Sequence, residues 1–363
     1  MSLADTRFET RRRTLASELA AQRIDDMLLT HLTHVRYFSG FTGSNGALMV
    51  SKDRSAAIAT DGRYTTQIAA EVPDIEASIT RAVATGLLSR VAEGHRVGFE
   101  ADFVSVAQLA KLEAACPEGV TLVPISGAVE EIRLRKDRLE LDRLAEAASL
   151  TVQALEQLLE ADGVRAGRTE REIAADLEYR MRVLGAERPS FDTIVASGPN
   201  SAMPHHSAGD RVLQRGDLVT IDFGMHRLGF NSDMTRTFAI GEPEEFLREI
   251  YDATLRAQLA GIEAATAGQL LVDVDRACRD IIAEAGFGEY FVHSTGHGIG
   301  LDVHEAPYAA KTGTGELAEG MTLTIEPGIY VPGRGGVRIE DTLIITAGAP
   351  RVITRFPKDL IVL

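Results

Sequence analysis

Cysteine is nearly absent from the 363 residues: Cys116 and Cys278 stand far apart and outside any Cys-x-x-Cys spacing. A disulfide framework and a zinc ribbon are excluded, and two buried free thiols in a reducing compartment are expected. Long apolar runs are missing too. No stretch of about 18 apolar residues occurs, so no membrane-spanning helix is expected. The opening text Met-Ser-Leu-Ala-Asp-Thr-Arg-Phe-Glu lacks the apolar segment of a signal peptide. These absences point to the cytoplasm. Basic excess is lacking as well. With 38 Lys and Arg against 53 Asp and Glu, the net charge is −15. That balance argues against nucleic acid or an anionic membrane as a partner. No repeat at a solenoid period and no low-complexity tract is visible.

What remains is an ordinary soluble composition, 45% hydrophobic and 25% charged, in a chain long enough for two domains. Residues 1–130 read as a small α/β domain. Its pattern is a helix over 6–23 and strands at 27–30, 47–50, 56–60, 97–99 and 122–123. Helices are expected at 65–70 and 105–115 and a glycine-punctuated loop over 35–46. Thr42-Gly-Ser-Asn-Gly46 in that loop lacks the Gly-Lys-[Ser/Thr] ending of a phosphate cradle and reads as a hairpin turn. Residues 131–363 read as an α+β domain with a curved antiparallel sheet backed by helices. It opens with a long charged helix over 132–159. Thr169-Glu-Arg-Glu172 then forms a capping box for a second helix. Helices are also expected over 246–265 and 270–285. Strands at 219–223 and 235–240 are joined by a turn at Arg227-Leu-Gly-Phe230.

Chemistry enters where carboxylates sit in apolar strands. Leu218-Val-Thr-Ile-Asp222-Phe-Gly224 ends one strand in an acid, and Asn231-Ser-Asp233-Met-Thr-Arg-Thr237 opens the returning strand with another. Glu326 in Thr-Ile-Glu-Pro-Gly-Ile-Tyr330 and Glu340 in Val-Arg338-Ile-Glu-Asp341 repeat the pattern. His297 lies in the glycine-rich Thr-Gly-His-Gly-Ile-Gly. Singly, Asp222 could cap the Gly224 turn and Asp233 could make an Asx turn. Together the five residues give four negative charges and one imidazole, too much charge to bury without a counter-charge. Two divalent cations supply the matching +4. Oxygen-rich ligation with one nitrogen suits Mn²⁺, with Co²⁺ or Zn²⁺ as alternatives, and a metal pair of this kind is a hydrolytic arrangement.

These five residues, in order and with their local contexts, resemble the motifs of the M24-type "pita-bread" metallopeptidases. That family includes methionine aminopeptidase, Xaa-Pro aminopeptidase (aminopeptidase P), prolidase and creatinase. The resemblance covers the chain from about residue 135 onward. It implies a pita-bread catalytic domain behind a creatinase-like N-terminal domain. It also implies that Asp222, Asp233, His297, Glu326 and Glu340 hold two metal ions, Asp233 and Glu340 bridging them. Glu326 would in addition be the general base, and His304 would contact the substrate and stabilise the tetrahedral intermediate. His205 matches a position near the scissile bond, His293 one lining the proline pocket, and Arg338 one near the substrate or metal carboxylates. His206 matches no such role and reads as a bystander. A homodimer is implied by resemblance alone. His304-Glu-x-Pro307, the large N-terminal domain, Arg36-to-Gly46 and Thr60-Asp-Gly-Arg63-Tyr64 resemble the Xaa-Pro branch, and within it the Xaa-Pro aminopeptidases. The expected activity is therefore release of the first residue from peptides with proline second. A prolidase confined to Xaa-Pro dipeptides is the alternative, and a non-catalytic peptide-binding module is the rival from another class. A dipeptidase needs a cation for the proline carboxylate, and Arg36, Arg63, Arg334 and Arg338 are all candidates.

Overall fold

The computed structural model describes residues 6–363. The chain divides into two compact units, the first ending at Arg133 and the second spanning Leu134–Leu363. Among the described residues no helix is long and apolar enough to cross a membrane. Cys278 is buried and its thiol is pushed up to about 12 by burial, whereas Cys116 is only half-buried.

The first unit is a six-stranded mixed sheet flanked by helices. Its spatial order is Glu76–Ile79, Ala56–Thr60, Gly46–Ser51, Asp26–Leu29, Arg96–Glu100, Thr121–Ile125. Asp26–Leu29 runs antiparallel to Gly46–Ser51 and parallel to Arg96–Glu100. Leu28, Ala47, Ala59, Leu88 and Val97 form the centre of its core. Each fully buried aliphatic side chain of leucine or valine size contributes about 1.5–3 kcal/mol. The expected loop over 35–46 is in part a helix, Leu32–Ser39. Its entry is fixed from far away: Glu100 accepts hydrogen bonds from the backbone N–H groups of Thr30 and His31 (2.6 and 2.8 Å). Gly40, at φ +83°, ends it in the left-handed conformation typical after a helix.

The second unit has two large apolar cores, with a smaller cluster of Leu144, Ala148, Phe230, Ile344 and Ile353 beside them. One packs helices Arg138–Glu160 and Glu170–Val183 against the sheet of Ile194–Ser197, Leu218–Phe223 and Met234–Ala239. The other packs helices Glu245–Ala264 and Leu271–Glu284 against strands that include Thr322–Ile325, Gly328–Val331 and Gly335–Arg338. Every residue of Leu218–Phe223 and of Met234–Ala239 is buried. Both faces are covered, so exposure does not alternate along the strands, and polar residues such as Thr220 and Asp222 are buried too.

The long charged helix expected over 132–159 is instead two helices, Ala128–Leu134 and Arg138–Glu160. Asp137 breaks them by acting as N-cap: its side chain accepts from the Glu140 N–H while Glu140 accepts from the Asp137 N–H, both at 2.9 Å. In the gap, Lys136 turns inward and pairs with Glu305 at 2.7 Å. The Thr169–Glu172 capping box forms as the sequence pattern suggests.

Candidate metal centre and active site

The hairpin that carries the first two acids is held by close backbone contact. Phe223 pairs with Met234 and Asp222 with Thr235, so Asp233 enters directly before the returning strand. Leu228 and Gly229 have φ of +50° and +89°, the mirror-image turn that suits a hairpin. Gly224 is required by packing: a Cβ there would lie 1.8 Å from the Ser232 carbonyl oxygen.

His297 lies on the short strand Gly296–Gly298, and its N–H donates to Thr324 Oγ1 at 3.0 Å. A Cβ on Gly296 would lie 1.7 Å from the Thr324 carbonyl oxygen, so this approach also needs glycine. The Glu326 N–H donates to the Thr295 carbonyl at 2.8 Å, which places Glu326 beside His297 at the end of Thr322–Ile325. Glu340 is fixed to the hairpin: its N–H donates to the Thr235 carbonyl (3.1 Å), and Thr235 Oγ1 donates to its Oε2 (2.8 Å). Four separated stretches of chain thus converge on one point.

Asp222, Asp233, His297, Glu326 and Glu340 all line a single cavity of about 720 Å³. His297 Nε2 is 3.3 Å from Glu326 Oε1 and 3.7 Å from Asp233 Oδ2. Asp233, His297 and Glu340 each offer a ligand atom within 4.8 Å of the others. His297 Nδ1 lies 2.9 Å from the Gly298 carbonyl, an acceptor only, so Nδ1 carries the donated proton. That leaves Nε2 aimed at the carboxylates, the arrangement of a metal-ligating histidine.

The electrostatics also call for cations. Burial pushes Asp233 well above the usual carboxylate range, and the nearby carboxylates Glu340, Asp222 and Glu326 push the same way. Burial raises Glu340 likewise, with Glu326 and Asp222 adding to it. Asp222 is raised by burial, although the adjacent Arg338 opposes the shift. Glu326 differs. Burial works against its ionisation, yet the His297 hydrogen bond and the charges of His297, His293 and Arg338 hold it at about 2. Asp222 Oδ1 and Glu340 Oε1 are buried without a hydrogen-bond partner. Buried oxygens of this kind need a partner, and hard divalent cations take oxygen donors. The donor set fits a two-metal centre.

His205, His293, His304 and Arg338 line the same cavity. His205 and His304 are exposed towards it, and the His304 ring centroid is 4.5 Å from that of His297. Burial and then the neighbouring His297 lower the pKa of His304. Arg338 is buried, donating to Asp222 Oδ2 and to the Tyr330 hydroxyl, both at 2.7 Å. Tyr330 also lies 2.9 Å from His293 Nε2, linking that histidine to Arg338. Tyr330 is buried and was given no role from sequence, where it reads as one more apolar residue of Gly328–Val331. Arg334, a candidate for the proline carboxylate, pairs with Glu244 at 3.3 Å and does not line the cavity. His206 is no bystander in the structure: it lines the cavity and its Nε2 lies 2.7 Å from Glu170 Oε2.

Comparison with known proteins agrees with this architecture. Residues 142–347 match the model of metallopeptidase family M24, and residues 11–135 match that of the creatinase/prolidase N-terminal domain. The chain belongs to metallopeptidase family M24. More particularly, it is 44% identical over 237 residues to an Xaa-Pro dipeptidase of Pyrococcus furiosus, spanning 65% of this chain and 68% of that one. The structure of an Xaa-Pro dipeptidase from Bacillus anthracis superposes with a TM-score of 0.91 at 41% identity, covering 98% of this chain and 99% of that one. The X-Pro aminopeptidase of Thermotoga maritima gives 0.88 at 35% identity, covering 97% and 99%.

Proposed function

We propose that this chain is a two-metal peptidase that hydrolyses the bond before proline in Xaa-Pro dipeptides. One observation carries the metal reading: three buried carboxylates, the half-buried Glu326 and one correctly oriented imidazole, with Asp222 Oδ1 and Glu340 Oε1 unpartnered, meet at one cavity. The dipeptidase reading is favoured over the aminopeptidase expected from sequence motifs because, over nearly the whole chain, the Xaa-Pro dipeptidase of Bacillus anthracis is 41% identical and the X-Pro aminopeptidase of Thermotoga maritima 35%.

Asp222, Asp233, His297, Glu326 and Glu340 would hold the ions, with Mn²⁺ first and Co²⁺ or Zn²⁺ as alternatives. When bound, a divalent pair supplies a Lewis acid for the scissile carbonyl and makes a water nucleophilic at neutral pH. The chain's own residues do the rest. Glu326 is ionised at neutral pH, the form that accepts the proton of an attacking water. His304 faces the cavity beside His297, where it can donate to oxygen as charge develops on the former carbonyl. His205 and His293 line the space available to the proline ring. Arg338 orients Asp222 on one side and Tyr330 on the other.

The test is a comparison of Xaa-Pro dipeptides with Xaa-Pro-Yaa tripeptides by the Mn²⁺-loaded protein. The dipeptides should have a kcat/KM higher by about tenfold or more, a difference of ~1.4 kcal/mol in transition-state binding. Equal or faster cleavage of tripeptides would return the assignment to an aminopeptidase. No cleavage of either, with metal bound, would favour a peptide-binding module.

A further inference from the structure

His205 lies in a loop whose two ends are gripped by one buried carboxylate. Glu170 is fully buried at the first turn of helix Glu170–Val183. Its Oε1 accepts from the Ser197 N–H (2.8 Å), the Ser197 hydroxyl (2.7 Å) and Asn200 Nδ2 (2.9 Å). Its Oε2 lies 2.7 Å from His206 Nε2 and accepts from the Gly209 N–H at 3.2 Å. One oxygen therefore holds the chain before His205 and the other holds it just after. The opposite flank is tied to the metal side of the cavity, where Arg338 Nη1 donates to the Pro204 carbonyl at 3.3 Å.

Charge supports the arrangement. Burial opposes ionisation of Glu170, but the donors from Ser197, Asn200 and His206 outweigh it and leave the group below its ordinary pKa. The carboxylate also sits at a helix N-terminus, where backbone N–H groups favour an anion. Five donors on one ionised group are far more than helix capping needs.

We infer that Glu170 and His206 form a clasp that sets the position of His205 in the active-site cavity, making both of them positioning residues for the hydrolysis. The clasp rests on the proposed Xaa-Pro activity for its kinetic reading, but not for its structural one. Breaking it frees the Pro204–Gly209 segment and misplaces His205, and displacements of about 1 Å can cost up to about 100-fold in rate.

The experiment compares wild type with His206→Ala, His206→Asn and His206→Gln, all Mn²⁺-loaded. Glutamine carries an amide N–H about as far from the backbone as Nε2, whereas asparagine falls short and alanine has no donor. His206→Ala and His206→Asn should lower kcat on Ala-Pro about tenfold. Metal content should stay at the wild-type value, and the melting temperature should fall by a similar few degrees in both, because each removes a donor from a buried carboxylate. His206→Gln should recover kcat to within about threefold, with the acid limb of its pH profile unmoved, because a residue that only positions transfers no proton. Crystals of His206→Asn should show the Pro204–Gly209 segment displaced. Wild-type kinetics in both shortened variants would overturn the inference, and so would a glutamine variant as slow as alanine. If wild type leaves Ala-Pro intact, the proposed activity fails by itself, and the crystallographic displacement still decides whether the clasp exists.

Discussion

Replacing Glu326 with glutamine is expected to lower kcat for Xaa-Pro hydrolysis about a thousandfold while leaving the fold intact. The substitution keeps the shape of the side chain and removes its charge. In the structure Glu326 faces His297 at 3.3 Å and is held ionised at about 2 despite its burial. An amide cannot accept the proton of an attacking water, so the chemical step loses its base. The loss should fall on kcat more than on KM, since the proton is transferred only as the transition state is reached. Circular dichroism, metal analysis and steady-state kinetics on the same preparation make the check. A variant with normal metal content and more than about a tenth of wild-type kcat would refute the role given to Glu326.

The second large effect concerns Asp233, and its sign reverses with metal. In chelator-stripped protein, Asp233→Asn should raise the melting temperature at pH 8 by about 5 °C, corresponding to ~2 kcal/mol. With metal present, the same variant should be less stable than wild type and inactive. The reason is like-charge crowding. Asp233 and Glu340 are both raised well above their ordinary values of 3.8 and 4.5, first by burial and then by neighbouring carboxylates. A carboxylate whose folded pKa lies above its unfolded one gives stability that is full below the unfolded value. That stability is lost as pH rises through the folded value. His297, also raised, acts in the same direction above 6.5. Glu326 acts oppositely, but its window lies between 4.5 and about 2. The stripped protein should therefore melt lower at pH 8 than at pH 5.5, and Asp233→Asn should flatten that slope. Calorimetry at the two pH values, with and without Mn²⁺, measures all four arms. A stripped Asp233→Asn protein that melts below stripped wild type at pH 8 would show that carboxylate repulsion is not what strains this centre.

Much of this site was legible because its signals are local. Asp222 and Asp233 flank a turn whose Leu-Gly pair adopts positive φ, so a hairpin between two apolar strands was readable from residues 218–240. Glu326 and Glu340 stood out as acids in otherwise apolar strands. The parts not readable depend on partners distant in sequence. Helix Leu32–Ser39 starts where Glu100 accepts from Thr30 and His31, and nothing near residue 32 announces that partner. Glu170 looked like a first-turn acid of a capped helix, and only the fold brings Ser197, Asn200, His206 and Gly209 onto it. Tyr330 joins His293 to Arg338 across 37 and 8 residues of chain. The break at Asp137 is different, because its signal was local: Asp137 and Glu140 have capping-box spacing, and the charged helical pattern on both sides masked it.

The central claim is that five side chains from four stretches of chain hold a pair of divalent ions that hydrolysis requires. Isothermal titration of the chelator-stripped protein with MnCl₂, with Ala-Pro hydrolysis followed on samples from the same titration, tests it most directly. Two ions should bind per chain, and activity should return as the sites fill. A folded protein that binds no Mn²⁺, or that cleaves Ala-Pro equally well without it, would contradict the account.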